Sequence, residues 1–178
     1  MWRIETSNLL IRRIQTHDAS VYQEFYTNKK YWEFELSPNL SLADVDAQLF
    51  QTIDNAKSLP ENIVEGEFAI VLKTESKVIG LITTIFTDNN YSIMELGISL
   101  LVDYQGKNYA HEALTRFVQY ALEQNSTHRI ACSTNSKNIR CINLLEKVGF
   151  IKEGELRKAL LLQDGSYGNI SVFSIVQP

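Results

Sequence analysis

Cysteine is scarce in this chain: Cys132 and Cys141 are the only two in 178 residues, with no Cys-x-x-Cys pair and no histidine cluster beside them. That argues against a disulfide framework or a zinc site and fits a reducing compartment, so a cytoplasmic location is expected. Long apolar runs are missing too, and nothing approaches the roughly 18–20 residues a membrane helix needs. The segment Met1-Trp2-Arg3-Ile4-Glu5-Thr6 lacks the basic stretch and apolar core of a signal peptide. Positive charge is also in short supply, with 17 Lys and Arg against 21 Asp and Glu and a net charge of −4. A dedicated nucleic-acid binder is normally basic, so neither nucleic acid nor membrane is an expected partner. No low-complexity segment, internal repeat or Pro/Gly-rich linker divides the chain, and one domain over residues 1–178 is expected.

What is present is a regular alternation of strand and helix patterns. Residues 8–14 read as a first strand with mixed faces. Asp18 opens a helix to about Asn28, in which Val21, Tyr22, Phe25 and Tyr26 recur at helical spacing. Ser41 or Asp44 opens a second, with Val45, Leu49, Ile53 and Ala56 on one stripe and Pro60 beyond its end. Residues 67–73 and 77–86 form a hairpin around Thr74-Glu75-Ser76, and residues 91–102 a further strand after Asp88-Asn89-Asn90. A strongly amphipathic helix runs from about Ala110 to Gln124. A strand (Arg129–Ser133), a helix (Asn138–Val148) and two strands (Phe150–Leu161 and Tyr167–Val176) complete the order β-α-α-β-β-β-α-β-α-β-β. Antiparallel neighbours first and strand–helix–strand crossovers later imply an α/β fold with a mixed sheet covered by helices.

The segment Glu95–Ala113 carries the most chemistry. A buried strand leads into a short loop, Asp103-Tyr104-Gln105-Gly106-Lys107-Asn108, and a helix starts at once. Such a junction points backbone N–H groups at one spot, where the helix dipole adds partial positive charge. A diphosphate suits it: Gly106 and Ala110 keep the approach open and Lys107 adds a cation. Many strand–loop–helix junctions with one glycine only turn the chain, so that alternative stays open on these residues alone.

Gln105-Gly106-Lys107-Asn108-Tyr109-Ala110 resembles the Gln/Arg-x-x-Gly-x-Gly/Ala signature of the GNAT acetyltransferase superfamily. The stretch from Tyr104 to Ala113 is similar to Tyr-x-Gly-Lys-Gly-Tyr-Ala-x-Glu-Ala of the ribosomal-protein-alanine N-acetyltransferase branch, with Asn108 where that branch has glycine. Asparagine tolerates left-handed backbone angles better than other non-glycine residues. Thr6-Ser7-Asn8-Leu9-Leu10-Ile11-Arg12 with Asp18-Ala19 resembles the family's opening. The run from Asn138 through Leu144-Leu145-Glu146-Lys147-Val148-Gly149-Phe150 to Gly154 resembles its closing block. Nearly the whole chain is covered.

The resemblance implies a single-domain fold with a mixed, mostly antiparallel sheet and helices on both faces. It implies acetyl-CoA as cosubstrate, no metal, and transfer to a primary amine. A protein N-terminal α-amine is the first expectation for the acceptor. A polyamine or aminoglycoside is the alternative, as is a non-catalytic acyl-CoA-binding module; a homodimer is left open. Gln105, Gly106, Lys107, Asn108, Tyr109 and Ala110 are expected around the pyrophosphate, with the acetyl group near Ile98–Leu101 and the pantetheine arm beside Leu100, Leu101 and Val102. Glu95 is the expected base, its carboxyl partly buried by aromatics and its pKa raised, with Glu67 and Glu35 behind it. The contrary reading has Glu95 on an exposed face or paired with a cation. Cys141 stands where the branch has serine and is the expected proton donor to the CoA sulfur, unless it is a small core residue; Leu145 stands where many GNAT enzymes have tyrosine. Asn138 is expected on the pantetheine amide, or as a helix cap, or both. Tyr31, Trp32 and Glu35 are expected to hold the amine, or else the aromatics pack between helices. His111 is expected on the surface, and His17 and His128 have no metal spacing.

Overall fold

The computed structural model describes residues 2–34, 40–60, 63–123 and 127–177. Eight strands form one sheet: β1 (Arg3–Glu5), β2 (Leu9–Arg13), β3 (Gly66–Leu72), β4 (Lys77–Phe86), β5 (Ile93–Leu100), β6 (Arg129–Asn135), β7 (Ile151–Leu161) and β8 (Tyr167–Val176). Their spatial order is β1-β2-β3-β4-β5-β6-β8-β7, and every neighbouring pair is antiparallel except β5 with β6. Four helices cover it: α1 (Ala19–Thr27), α2 (Leu42–Ser58), α3 (Tyr109–Glu123) and α4 (Ile139–Val148). The expected α/β architecture is present.

Side-chain alternation along β3 decides the two faces. Phe68, Ile70 and Leu72 point into the main core with Met94 and Leu96 of β5, where α3 contributes Leu114 and Phe117 and α4 contributes Leu145. Phe68 and Phe117 meet edge to face at 5.1 Å, and Trp2 lies 4.6 Å from Phe68. On the other face Tyr22 and Phe25 of α1 pack with Val45 and Leu49 of α2. The α2 start is locked by a capping box: Ser41 Oγ accepts from Asp44 N at 3.2 Å, and Asp44 Oδ2 accepts from Ser41 N at 3.1 Å.

Three boundaries differ from expectation. The opening strand pair includes β1, which two charged residues around one isoleucine could not announce. The strand expected over residues 91–102 stops at Leu100, and Val102–Tyr104 turn into a 3-10 helix before the loop. The strand expected to end at Ser133 continues to Asn135, because β8 pairs with it over that length.

One irregularity positions the site. β5 and β6 run parallel only where Ile93, Met94 and Glu95 face Arg129, Ile130 and Ala131. Beyond Glu95, β5 keeps only β4 while β6 follows β8, so the two strands splay apart. No described helix is long and apolar enough to cross a membrane.

Candidate active site

The splay leaves one edge of β5 without a strand partner. Leu101 N donates to Ile79 O at 2.8 Å, which fixes the phase of the antiparallel ladder. By its alternation, Gly97 and Ser99 turn their backbone groups toward β4, while Ile98 and Leu100 turn theirs into the gap. Gln105 Nε2 occupies the Leu100 carbonyl at 3.0 Å. The amides of Ile98 and Leu100 are thus aimed into a wedge, as donors suited to a carbonyl or an amide chain.

After the 3-10 turn that follows β5 the backbone bends through two left-handed residues, Gly106 (φ +74°) and Asn108 (φ +67°). A Cβ on Gly106 would meet nothing within 4 Å, so glycine serves the backbone angle there. Asn108 takes the left-handed angle its side chain tolerates, and its carbonyl accepts Glu112 N at 3.0 Å in the first turn of α3. Its Oδ1 accepts from Lys147 Nζ at 3.1 Å, which ties the loop to α4. The first amides of α3 and the loop amides therefore converge at a helix N-terminus. Farther along, Glu112 accepts from Thr6 Oγ1 at 2.6 Å, Asn8 N at 2.8 Å and Asn8 Nδ2 at 2.9 Å. Partial burial works against the charge of Glu112, but these donors prevail and hold its pKa below the usual carboxylate range.

A groove of about 530 Å³ runs from this junction along β5 and α4. Leu100, Gln105, Gly106, Asn108, Ala110, Asn138, Cys141 and Tyr31 line it, together with Lys30, His111, Arg140 and Lys147. Arg140 crosses it, with Nη1 3.4 Å from Gln105 Oε1 and Nη2 3.3 Å from Glu33 Oε2. Lys30, Arg140 and Lys147 line the groove against one carboxylate, Glu33, and this net positive lining beside a helix N-terminus suits a polyanionic ligand.

A second groove of about 930 Å³ begins where the first ends on β5. Ile98 and Leu100 line the first, whereas Glu95, Leu96 and Gly97 line the second. Its carboxylates are Glu65, Glu67 and Glu95, and no Lys, Arg or His stands among its described lining residues. Glu67 is clamped from α1: its Oε1 accepts from Tyr22 OH at 3.0 Å and Tyr26 OH at 3.1 Å. Its Oε2 is buried and has no hydrogen-bond partner among the described residues. Burial pushes the Glu67 carboxyl up to about 7, against the two tyrosine hydroxyls, which favour the ionised form. Burial first, then the neighbouring Glu67 charge, pushes the Tyr22 and Tyr26 phenols well above their ordinary value.

The acetyltransferase (GNAT) domain profile matches residues 8–151. The chain belongs to the GNAT acetyltransferase family. It is 26% identical over 161 residues to the uncharacterized N-acetyltransferase p20 of Bacillus licheniformis, covering 88% of this chain and 86% of that one. The alanine N-acetyltransferase of ribosomal protein uS5 from Escherichia coli is 25% identical over 182 residues, covering 99% and 91%. Among solved structures, spermidine N-acetyltransferase from Vibrio cholerae in complex with CoA and spermine superposes with a TM-score of 0.83 at 22% identity, over 97% of each chain. The fold is that of GNAT acyltransferases.

Within this GNAT domain the expected site residues separate. The loop residues Gln105, Gly106, Asn108 and Ala110 come together with Leu100, Asn138, Cys141 and Tyr31. Asn138 is the cap of α4, its Oδ1 accepting from Cys141 N at 3.1 Å, and it also lines the groove. Leu101, Val102, Lys107 and Tyr109 do not line it: Leu101 and Tyr109 pack on the core, Val102 faces solvent, and Lys107 Nζ stands 5.4 Å from the Tyr104 ring. Trp32 lines neither groove and donates its Nε1 to Phe25 O at 2.9 Å, the packing role that was its alternative. Glu35 lies outside the described residues.

The expected surroundings are corrected at Glu95, and further residues join the groove. The aromatic burial expected around Glu95 is found around Glu67, while Glu95 is exposed on β5. Leu145 is buried in the core, so the groove is met by Leu144 instead. His111 is at the surface as expected, partly buried where it lines the first groove. Arg140 and Lys147 were not singled out, although their period on α4, seven apart, puts them on one helix face with Leu144 between.

Proposed function

We propose that this GNAT domain transfers an acetyl group from acetyl-CoA to a primary amine on a positively charged acceptor. The observation that carries the reading is the β5 splay, where a groove suited to a polyanion meets an acidic groove with no cation among its described lining residues. The family supplies the acyl-transfer class; the local geometry supports acetyl-CoA as cosubstrate. The left-handed turn at Gly106 and Asn108 and the first amides of α3 fit a pyrophosphate, and Lys30, Arg140 and Lys147 fit the remaining negative charge. The bound cosubstrate supplies the acetyl thioester.

The chain's own residues do the rest. The amides of Ile98 and Leu100 hold the pantetheine arm and stabilise charge that develops on the carbonyl oxygen. Glu65, Glu67 and Glu95 draw the acceptor ammonium into the second groove, and proton removal falls to its carboxylates, of which Glu95 lies on the splayed strand itself. Cys141, in the first turn of α4 and on the first groove, is placed to hand a proton to the departing sulfur. Holding both reactants across one strand supplies much of the rate enhancement through proximity.

A protein N-terminal amine is the acceptor favoured by the resemblance of the phosphate loop and closing block. The three carboxylates of the second groove favour a second reading, a small polycationic amine. Release of free CoA from acetyl-CoA, followed with a thiol reagent and with an N-terminal peptide, spermidine and an aminoglycoside as separate acceptors, decides between them. Acceptor-dependent release establishes the enzyme and names the acceptor class. Binding of acetyl-CoA with no release under any acceptor favours a sensing module, and no binding refutes the reading.

A further inference from the structure

Two carboxylates on the second groove compete for one chemical task, and their surroundings differ. Glu95 is exposed on its strand. Glu67 is held from one side by two phenols that bond only its Oε1, which leaves Oε2 without a donor. Thus the carboxyl is fixed in place and dehydrated on one oxygen, while the residue as a whole stays partly exposed and lines the groove.

Sheet register adds the path. Glu67 pairs with Thr83, and Thr83 pairs with Gly97, so the three form one row across β3, β4 and β5 on the α1 face. Two strand spacings set the Glu67 and Gly97 backbones about 10 Å apart. Gly97 is the last residue of the second groove before Ile98 and the wedge. A Cβ on Gly97 would come within 2.7 Å of Thr83 Oγ1, so glycine is what lets the Thr83 side chain lie against β5 in this row.

We propose that Glu67, held by Tyr22 and Tyr26 at the end of the Glu67–Thr83–Gly97 row, is the proton acceptor of the transfer, with Glu95 left to attract the ammonium. The assignment rests on the acetyltransfer reading above. The acceptor ammonium gives one proton to the Glu67 carboxylate. The freed lone pair forms the C–N bond, the C–S bond breaks with its electron pair going to sulfur, Cys141 protonates that sulfur to give CoA thiol, and the second nitrogen proton restores the Cys141 thiol. Glu67 then returns its proton to solvent. Burial that lifts the carboxyl to about 7 matches it to proton removal near neutrality.

The test is the pH dependence of kcat/KM for the best acceptor in the parent protein and in Glu67→Gln, Glu95→Gln and Tyr22→Phe/Tyr26→Phe, with acetyl-CoA affinity measured by calorimetry in each. The parent is expected to show an acidic limb near pH 7 and a plateau above it. Glu67→Gln keeps an oxygen acceptor for both phenols, so it is expected to fold and bind acetyl-CoA, with kcat lower by about 10²-fold or more. Its profile is expected to lose the limb and climb steadily toward the acceptor amine's own pKa. Glu95→Gln is expected to retain the limb whatever its rate. Removing both phenols removes the bonds that favour the ionised carboxylate, so the limb is expected to move to higher pH, a change that a purely structural role for Glu67 does not produce. A limb that survives in Glu67→Gln, or vanishes in Glu95→Gln, overturns the assignment while leaving acetyl transfer in place. No acceptor-dependent turnover in the parent overturns the acetyltransfer reading itself and this assignment with it.

Discussion

Glu67 ties the chemistry of the second groove to the stability of the whole domain, and the size of that tie follows from its surroundings. In the unfolded chain a glutamate ionises near its ordinary 4.5, whereas in the folded protein burial pushes Glu67 to about 7. Below pH 4.5 the group is protonated in both states and contributes nothing to the pH dependence. Between 4.5 and 7 the unfolded chain loses its proton while the folded one keeps it, so the folded state binds more protons and stability falls as pH rises. Above 7 both states are ionised and the full difference has been lost. At 1.36 kcal/mol per pH unit that loss is about 3 kcal/mol, an order-of-magnitude figure. Glu67→Gln stays neutral throughout and retains both phenol partners. The expected result is near-equal stability of the two proteins at pH 4.5 and a variant more stable by about 3 kcal/mol at pH 8.5. In a domain of this size that corresponds to a Tm roughly 6–12 °C higher. Urea denaturation at both pH values, with thermal melts alongside, reads the effect, and acetyl-CoA must be absent because a ligand that binds only the folded state masks it. A difference between the two proteins that does not change from pH 4.5 to 8.5 refutes the buried-carboxyl reasoning.

Three other outcomes follow from single positions. Asn108→Val puts a β-branched residue at φ +67° and breaks the bond from Lys147, so a loss of about 1–2 kcal/mol is expected in thermal melts, together with weaker acetyl-CoA binding by calorimetry. Asn108→Gly, which fits the same angle, is expected to bind acetyl-CoA at least as well as the parent. Gly97→Val crowds Thr83 Oγ1 and blocks the row between the grooves, so kcat is expected to fall roughly a hundredfold with little change in acetyl-CoA affinity; equal losses in both refute the separation of the grooves. Cys141→Ala removes the proposed proton donor and is expected to lower kcat by about 10²-fold, whereas a near-parental rate assigns the thiol to packing alone.

Much of this molecule was legible because local patterns and long-range packing agree. The hairpin around Thr74-Glu75-Ser76, the stripe of Ala113, Leu114, Phe117, Val118 and Ala121 on α3, and the capped start of α2 are each dictated within a few residues, and each formed as its pattern required. The left-handed loop was legible for the same reason: a glycine and an asparagine spaced two apart mark the only residues there that take such angles cheaply. Strand length and strand direction were less so. The end of β5 at Leu100 and the extension of β6 to Asn135 depend on which neighbour each strand keeps after the splay, and alternation within one strand says nothing about its neighbour.

The carboxylates show where such reading stops and what would have carried it further. Alternation puts Glu67 and Glu95 on the same face of the sheet, so each was an equally good strand carboxylate before the helices were placed. What distinguishes them is a helix far away in sequence. Tyr22 and Tyr26 lie four apart on α1, in a stripe that reads simply as apolar, yet a buried tyrosine brings a hydroxyl that must find a partner. Two such hydroxyls on a stripe facing the sheet require an acceptor there. Glu67 opens the otherwise apolar run Phe68-Ala69-Ile70-Val71-Leu72, and it meets both. The demand for satisfied hydroxyls, rather than proximity to the phosphate loop along the chain, selects the carboxylate that the fold shields from water, and shielding is what tunes a carboxyl for proton transfer.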